Sequence, residues 1–169
     1  MFKDHPKIEV VPSTFDRKII KVGWFVLLAQ CCVLFIFYFD LPSKIPTHFS
    51  FDGTVNGYGR KNTLWFLLFI STTTYYLITR LITRLKPWKF NYPVKITTKN
   101  ASKIYSYNIE MLALINLFIS ILLTIISLEI ILKAKEFTEF HLSFTFIPIC
   151  LFIIILPFFY SYKMFKIPQ

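Results

Sequence analysis

Four long apolar runs leave this chain few architectures to choose from. Ile19 to Phe39 carries a single charge, Lys21, close to its start. Thr63 to Leu85 is charged only late, at Arg80 and Arg84, and Met111 to Leu132 only at Glu129. Leu142 to Tyr162 carries no charge at all. About 20 mostly apolar residues suffice to cross a bilayer as a helix. A soluble helical bundle needs polar outer faces, and these runs have none. The first run exceeds the apolar core of a secretory signal and is not followed by a small-residue cleavage site, so it reads as a retained anchor. The expected fold is an all-α integral membrane protein with four transmembrane helices, a single domain over residues 1–169.

The net charge of +10 is distributed along the chain in a way that orients it. Of the 19 Lys and Arg residues, 14 lie up to the start of the first run (Lys21 included), from Arg80 to Lys103, or after the fourth run, and 5 lie in the first and third connections. The positive-inside rule therefore predicts that both termini and the Arg80–Lys103 region are cytoplasmic. The Leu41–Lys61 segment and the Lys133–His141 loop are then extracytoplasmic. Basic residues beside spans attract anionic lipid, so the charge calls for no nucleic acid partner. Cys31, Cys32 and Cys150 all fall within runs, which argues for packing residues rather than a disulfide framework or a metal pair.

The polar segment 40–62 is where ligand chemistry is expected. Thr47-His48-Phe49-Ser50-Phe51 alternates as a half-buried strand does. Asp52-Gly53 is a tight-turn signal, and Asn56-Gly57 with Tyr58-Gly59 predicts a second turn and chain reversal. Three of the four glycines lie here. The segment thus reads as a small extracytoplasmic β-hairpin-like loop between the first two spans, with Asn62 or Thr63 capping the second. On the other side, Met1–Lys18 is expected to be non-helical because of Pro6 and Pro12. The cytoplasmic loop, residues 86–108, carries aromatic anchors at Trp88 and Tyr92, with a long third helix beginning at Thr97 or Thr98.

Polar residues inside the runs are expected to hydrogen-bond between helices. Asn116, Ser120, Thr124 and Ser127 share one face of the third span, and Thr72, Tyr76, Thr79 and Thr83 one face of the second. Glu110 and Glu129 are placed near the ends of the third span, within reach of water. No mid-span acid marks a proton-coupled transporter. No esterase, zinc-protease or phosphate-loop motif is present, so the chain is not read as an enzyme and no cofactor is expected.

Two sets of residues carry a family resemblance. Leu41-Pro42, Ile45-Pro46-Thr47-His48-Phe49, Asp52-Gly53 and Gly57-Tyr58-Gly59-Arg60-Lys61 resemble the bacterial membrane domain of unknown function 1648. Asn91-Tyr92-Pro93-Val94-Lys95-Ile96-Thr97, then Asn100 and Tyr105, are similar to that family's second signature. Its best-known relatives are immunity proteins against a sporulation-delay toxin, a secreted peptide that kills sibling cells. They continue into a further membrane domain, and nothing after Leu132 matches it. The resemblance implies a protein of the bacterial plasma membrane that binds, or gives immunity to, a hydrophobic or antimicrobial peptide through its outer loop. An accessory or regulatory subunit of a larger membrane transport complex is the alternative.

The candidate ligand-binding or loop-shaping residues are Pro46, His48, Phe49, Asp52, Gly53, Gly57, Tyr58, Gly59 and Lys61. Those of the cytoplasmic motif are Asn91, Pro93, Thr97, Asn100 and Tyr105. His48 has three readings: a hydrogen bond that shapes the hairpin, a direct or pH-responsive ligand contact, or a metal ligand with Asp40, Asp52 or His141. Too few ligands gather for the last, so no metal is expected. The expected partners are the bilayer and either a secreted peptide or another membrane protein, with homo-oligomerisation left open.

Overall fold

The computed structural model describes residues 5–50, 54–84, 86–136 and 143–168. Four helices, α1 (Thr14–Tyr38), α2 (Thr63–Arg84), α3 (Ala101–Ala134) and α4 (Ser143–Phe165), are each long and apolar enough to cross a membrane. The chain is therefore a multi-pass membrane protein. Between α1 and α2 stand two antiparallel strands, β1 (Lys44–Phe49) and β2 (Val55–Arg60).

α1 starts earlier than its apolar run. Ser13 caps it: the Ser13 hydroxyl accepts from the Asp16 amide at 3.1 Å, and the Asp16 carboxylate accepts from the Ser13 amide at 2.7 Å. This reciprocal pair satisfies two N–H groups that a helix start leaves open. Residues 14–18, expected to be non-helical, are helical because Pro12 lies just outside the helix, where it breaks no bond. The Ser13-x-x-Asp16 spacing was the available signal.

α3 is the central element, packed by α1, α2, α4 and β1. Its 34 residues extend about 51 Å at 1.5 Å each, far beyond a hydrocarbon core of about 30 Å. It begins at Ala101 rather than Thr97 or Thr98, so the connection before it extends to residue 100. The delay has a local cause. The Asn100 side chain accepts from the Thr97 amide at 2.8 Å and donates to the Lys95 carbonyl at 3.1 Å, holding these residues in a turn.

The helices meet through small and polar groups, because lipid offers apolar side chains no reason to prefer one another. The Gln30 amide donates to Ser127 at 2.7 Å and to Ser71 at 3.4 Å, joining α1, α2 and α3. Asn116 donates to the Tyr75 carbonyl at 3.2 Å and to the Thr79 hydroxyl at 3.1 Å. The expected face of α3 is thus the buried one. The inward face of α2 runs instead through Ser71, Tyr75, Thr79 and Ile82, while Thr72, Tyr76 and Thr83 point outward. One residue of phase, about 100° on a helix, separates the two alternatives. Glu129, expected within reach of water, is 2% exposed. Cys32 and Cys150 face outward rather than into the packing, and all three cysteines are free.

At the end holding both termini, the second motif ties a knot. The Tyr105 hydroxyl donates to the Pro6 carbonyl at 2.9 Å, and the Tyr92 hydroxyl to the Pro87 carbonyl at 2.9 Å. Asn100 reaches the Pro168 carbonyl at 3.5 Å. Val94, Ile96, Ala101, Ile104, Tyr105 and Met164 form the core beneath, with Ile8, Tyr92 and Ile167 packed against it.

Candidate functional site

The hairpin sits on the opposite end, and its base is part of the protein core. Leu41 and Ile45 are buried with Leu34, Leu64, Ile130 and Ile131, and Phe49 packs against this cluster. Ile45 is wholly inaccessible. The pairs Lys44–Arg60, Ile45–Gly59, Pro46–Tyr58, His48–Gly57 and Phe49–Val55 define the register, with irregularities on either side of His48. β1 starts at Lys44, three residues before the alternating pattern, because Pro46 buries its ring and keeps that pattern from showing.

Asn56, Gly57, Tyr58 and Gly59 were expected to turn, and instead they form β2. Neither glycine has a positive φ; each is required by space. A Cβ on Gly57 would stand 2.9 Å from the His48 Cβ, and one on Gly59 2.8 Å from the Thr47 Cγ2. The two residues leave room for β1 to lie close. Asp52 and Gly53, the expected tight turn, fall outside the described residues, as do Phe51 and His141.

The alternation of β2 puts Asn56, Tyr58 and Arg60 on its exposed side. His48 Nδ1 is hydrogen-bonded to Asn56 Oδ1, and the Asn56 amide donates to Ser50 at 2.8 Å. Tyr58 is 67% exposed. His48, Asn56 and Tyr58 are all exposed and form a polar and aromatic stripe on a hairpin whose base is buried. Asp40, the described acid nearest His48 in sequence, binds Lys135 at 3.4 Å instead.

Lys61 fastens the hairpin to α1. Its ammonium donates to the carbonyls of Tyr38 and Leu41, both at 3.2 Å, and lies 4.8 Å above the centre of the Tyr38 ring. Asn62 and Thr63, the expected caps of α2, turn back as well. The Asn62 side-chain oxygen accepts from the Tyr38 hydroxyl at 2.5 Å, and the Thr63 hydroxyl donates to the Arg60 carbonyl at 2.8 Å.

Of the candidates in the second motif, Thr97, Asn100 and Tyr105 are brought together in the terminal knot, while Asn91 and Pro93 are exposed beside it. Their contacts fix the chain's own loop and termini, which is a structural role. Gln30, which links three helices, was missed by sequence reasoning. Its signal was being the one amide side chain in the first apolar run.

Residues 25–72 match the family model described as Domain of unknown function (DUF1648). That stretch takes in α1 from Phe25 onward, including Gln30, both strands and α2 as far as Thr72, but not the Asn91–Tyr105 motif. No curated protein and no solved structure matches the chain.

Proposed function

We propose that the chain is a recognition protein of the bacterial plasma membrane, with the hairpin outside and both termini in the cytoplasm. It binds, or gives immunity to, a hydrophobic or membrane-active peptide. One observation carries this reading: a hairpin whose base is buried in the core exposes His48, Asn56 and Tyr58, with His48 and Asn56 bonded to each other. Such a ledge holds donors, acceptors and an aromatic ring in fixed positions, which lowers the ordering cost of binding. The charge asymmetry supports the orientation; residues 25–72 match a domain of unknown function, and the resemblance of the outer-loop residues to immunity proteins supports the ligand class.

The test is survival. Cells producing the chain and cells lacking it are challenged with secreted antimicrobial peptides of sibling strains, and His48→Ala with Tyr58→Ala is compared at equal membrane abundance. Protection by the parent and its loss in the double variant is the expected result. Equal survival of parent and variant would overturn the site.

A second reading, an accessory subunit, draws on a different observation. Thr72, Tyr76 and Thr83 face outward on α2, and polar side chains on a lipid-facing surface are usually covered by a neighbouring helix. Stoichiometric recovery of another membrane protein with the tagged chain would favour it.

A further inference from the structure

We infer that the base of the hairpin is a binding site for the phosphate of an anionic lipid headgroup. Ser43, Lys44, Arg60, Lys61 and Asn62 line an open cavity of about 330 Å³. Three of the five basic residues assigned to the hairpin side thus gather around one hollow, although that side is otherwise poor in them.

The register sharpens the point. Lys44 and Arg60 are direct partners across the two strands, and like charges placed so repel and destabilise the pair. Among the described residues neither forms an ion pair, whereas Lys135 and Asp40, elsewhere on this end, do. No carboxylate lines the cavity. An anion between the two cations converts repulsion into a clamp.

The remaining lining groups also suit an acceptor-rich ligand. The Asn62 oxygen is engaged by Tyr38, which leaves its amide hydrogens as the available group. Ser43 adds a hydroxyl. The 22-residue helix α2 starts directly behind, and neither Asn62 nor Thr63 spends its side chain on the first-turn N–H groups. A helix start carries partial positive charge and favours phosphate.

Position selects the lipid as the source. The cavity lies where α1 ends and α2 begins, the level of the headgroups for helices of this length. Exposed Phe39 (77%) and Phe66 (62%) flank it in sequence and would face the acyl chains just below. This site is separate from the His48–Asn56–Tyr58 stripe, and either can fail without the other.

The whole chain, purified in a zwitterionic detergent, is incubated with phosphatidylglycerol or phosphatidylcholine of matched acyl chains and read by native mass spectrometry. Phosphatidylglycerol should be retained under activation that strips phosphatidylcholine, and retention should fall by about fivefold or more in K44Q/R60Q, as loss of two cations implies. K44R should retain it, and K99Q/K103Q, at the other end, should leave it unchanged. Without lipid, K44Q/R60Q should melt no lower than the parent. Equal retention of both lipids, unchanged retention in K44Q/R60Q, or an equal loss in K99Q/K103Q would overturn the inference. So would stabilisation by inorganic phosphate through the same residues without lipid retention, which would assign the site to the free ion.

Discussion

Lys61, the residue that follows β2, places its ammonium 3.2 Å from the carbonyl of Tyr38, the last residue of α1. α1 has no basic residue in its own last turn. A cation is favourable at that end of a helix, where carbonyls lack partners. The chain supplies it from 23 residues away, so one side chain both completes α1 and fixes the hairpin's position.

Lys61→Met should accordingly loosen the hairpin more than the bundle. Charged hydrogen bonds of this kind contribute about 1.5–3 kcal/mol each when partly buried, and the two here share one donor. The expected result is faster hydrogen exchange at Ile45 and Gly59, with the amides of α3 unchanged. Uniform protection across both regions would argue that Lys61 is not the fastening.

Gly59→Ala should strain the strand pair by about 1–3 kcal/mol, the usual cost of overpacking. The nearest obstacle is the Thr47 Cγ2 methyl, 2.8 Å from the added carbon, with the Thr47 Oγ1 next at 3.1 Å. Thr47→Ser removes that methyl, so the double variant should recover most of the loss in a thermal unfolding cycle. Additive losses would locate the strain elsewhere.

Gly23 gives α2 its approach to α1. A Cβ there would lie 2.1 Å from the Tyr75 hydroxyl, which donates to the Ile20 carbonyl at 2.8 Å. Gly23→Leu should displace Tyr75 and break that bond, and the Trp24–Tyr75 edge contact with it. Tyr75→Phe should cost less, about 0.6–2 kcal/mol in a membrane protein. Unfolding in mixed micelles would rank the two, and the reverse order would contradict the packing described.

Gln30→Leu should weaken the bundle by a comparable amount, about 0.6–2 kcal/mol, since Ser127 loses its cross-helix partner. Ser127→Ala in the Gln30→Leu background should then add little, because the two share one bond. Independent effects in the double-mutant cycle would dissolve the network.

The terminal knot should be sensitive to alkali. Burial, and to a lesser degree the neighbouring Tyr105, push the Tyr92 hydroxyl above its ordinary value of 10.0. The unfolded chain ionises Tyr92 near pH 10 while the folded one keeps it neutral, so stability held below that pH is lost as pH rises beyond it. Tyr92→Phe should be less stable at pH 8, through the lost bond to Pro87, and should show a shallower decline above pH 10.

The apolar runs and the turn residues between the first two were enough to read four helices long enough to cross a membrane and a hairpin, because hydrophobic length and turn chemistry are local properties. The motif around His48 was legible for the same reason: its residues are contiguous. What local pattern could not decide was which way the residues point. Gly57 and Gly59 look like turn residues until the register shows Thr47 and His48 pressed against them. Thr72 and Tyr76 look like the inner face of α2 until packing rotates Ser71 and Tyr75 inward. Glu129 looks accessible by its place near a helix end until its neighbours close over it. Lys61 looks like one more interfacial cation until it is found on Tyr38. Each depends on contacts between residues distant in sequence, and only the folded arrangement of α1, α2, α3 and the hairpin determines those.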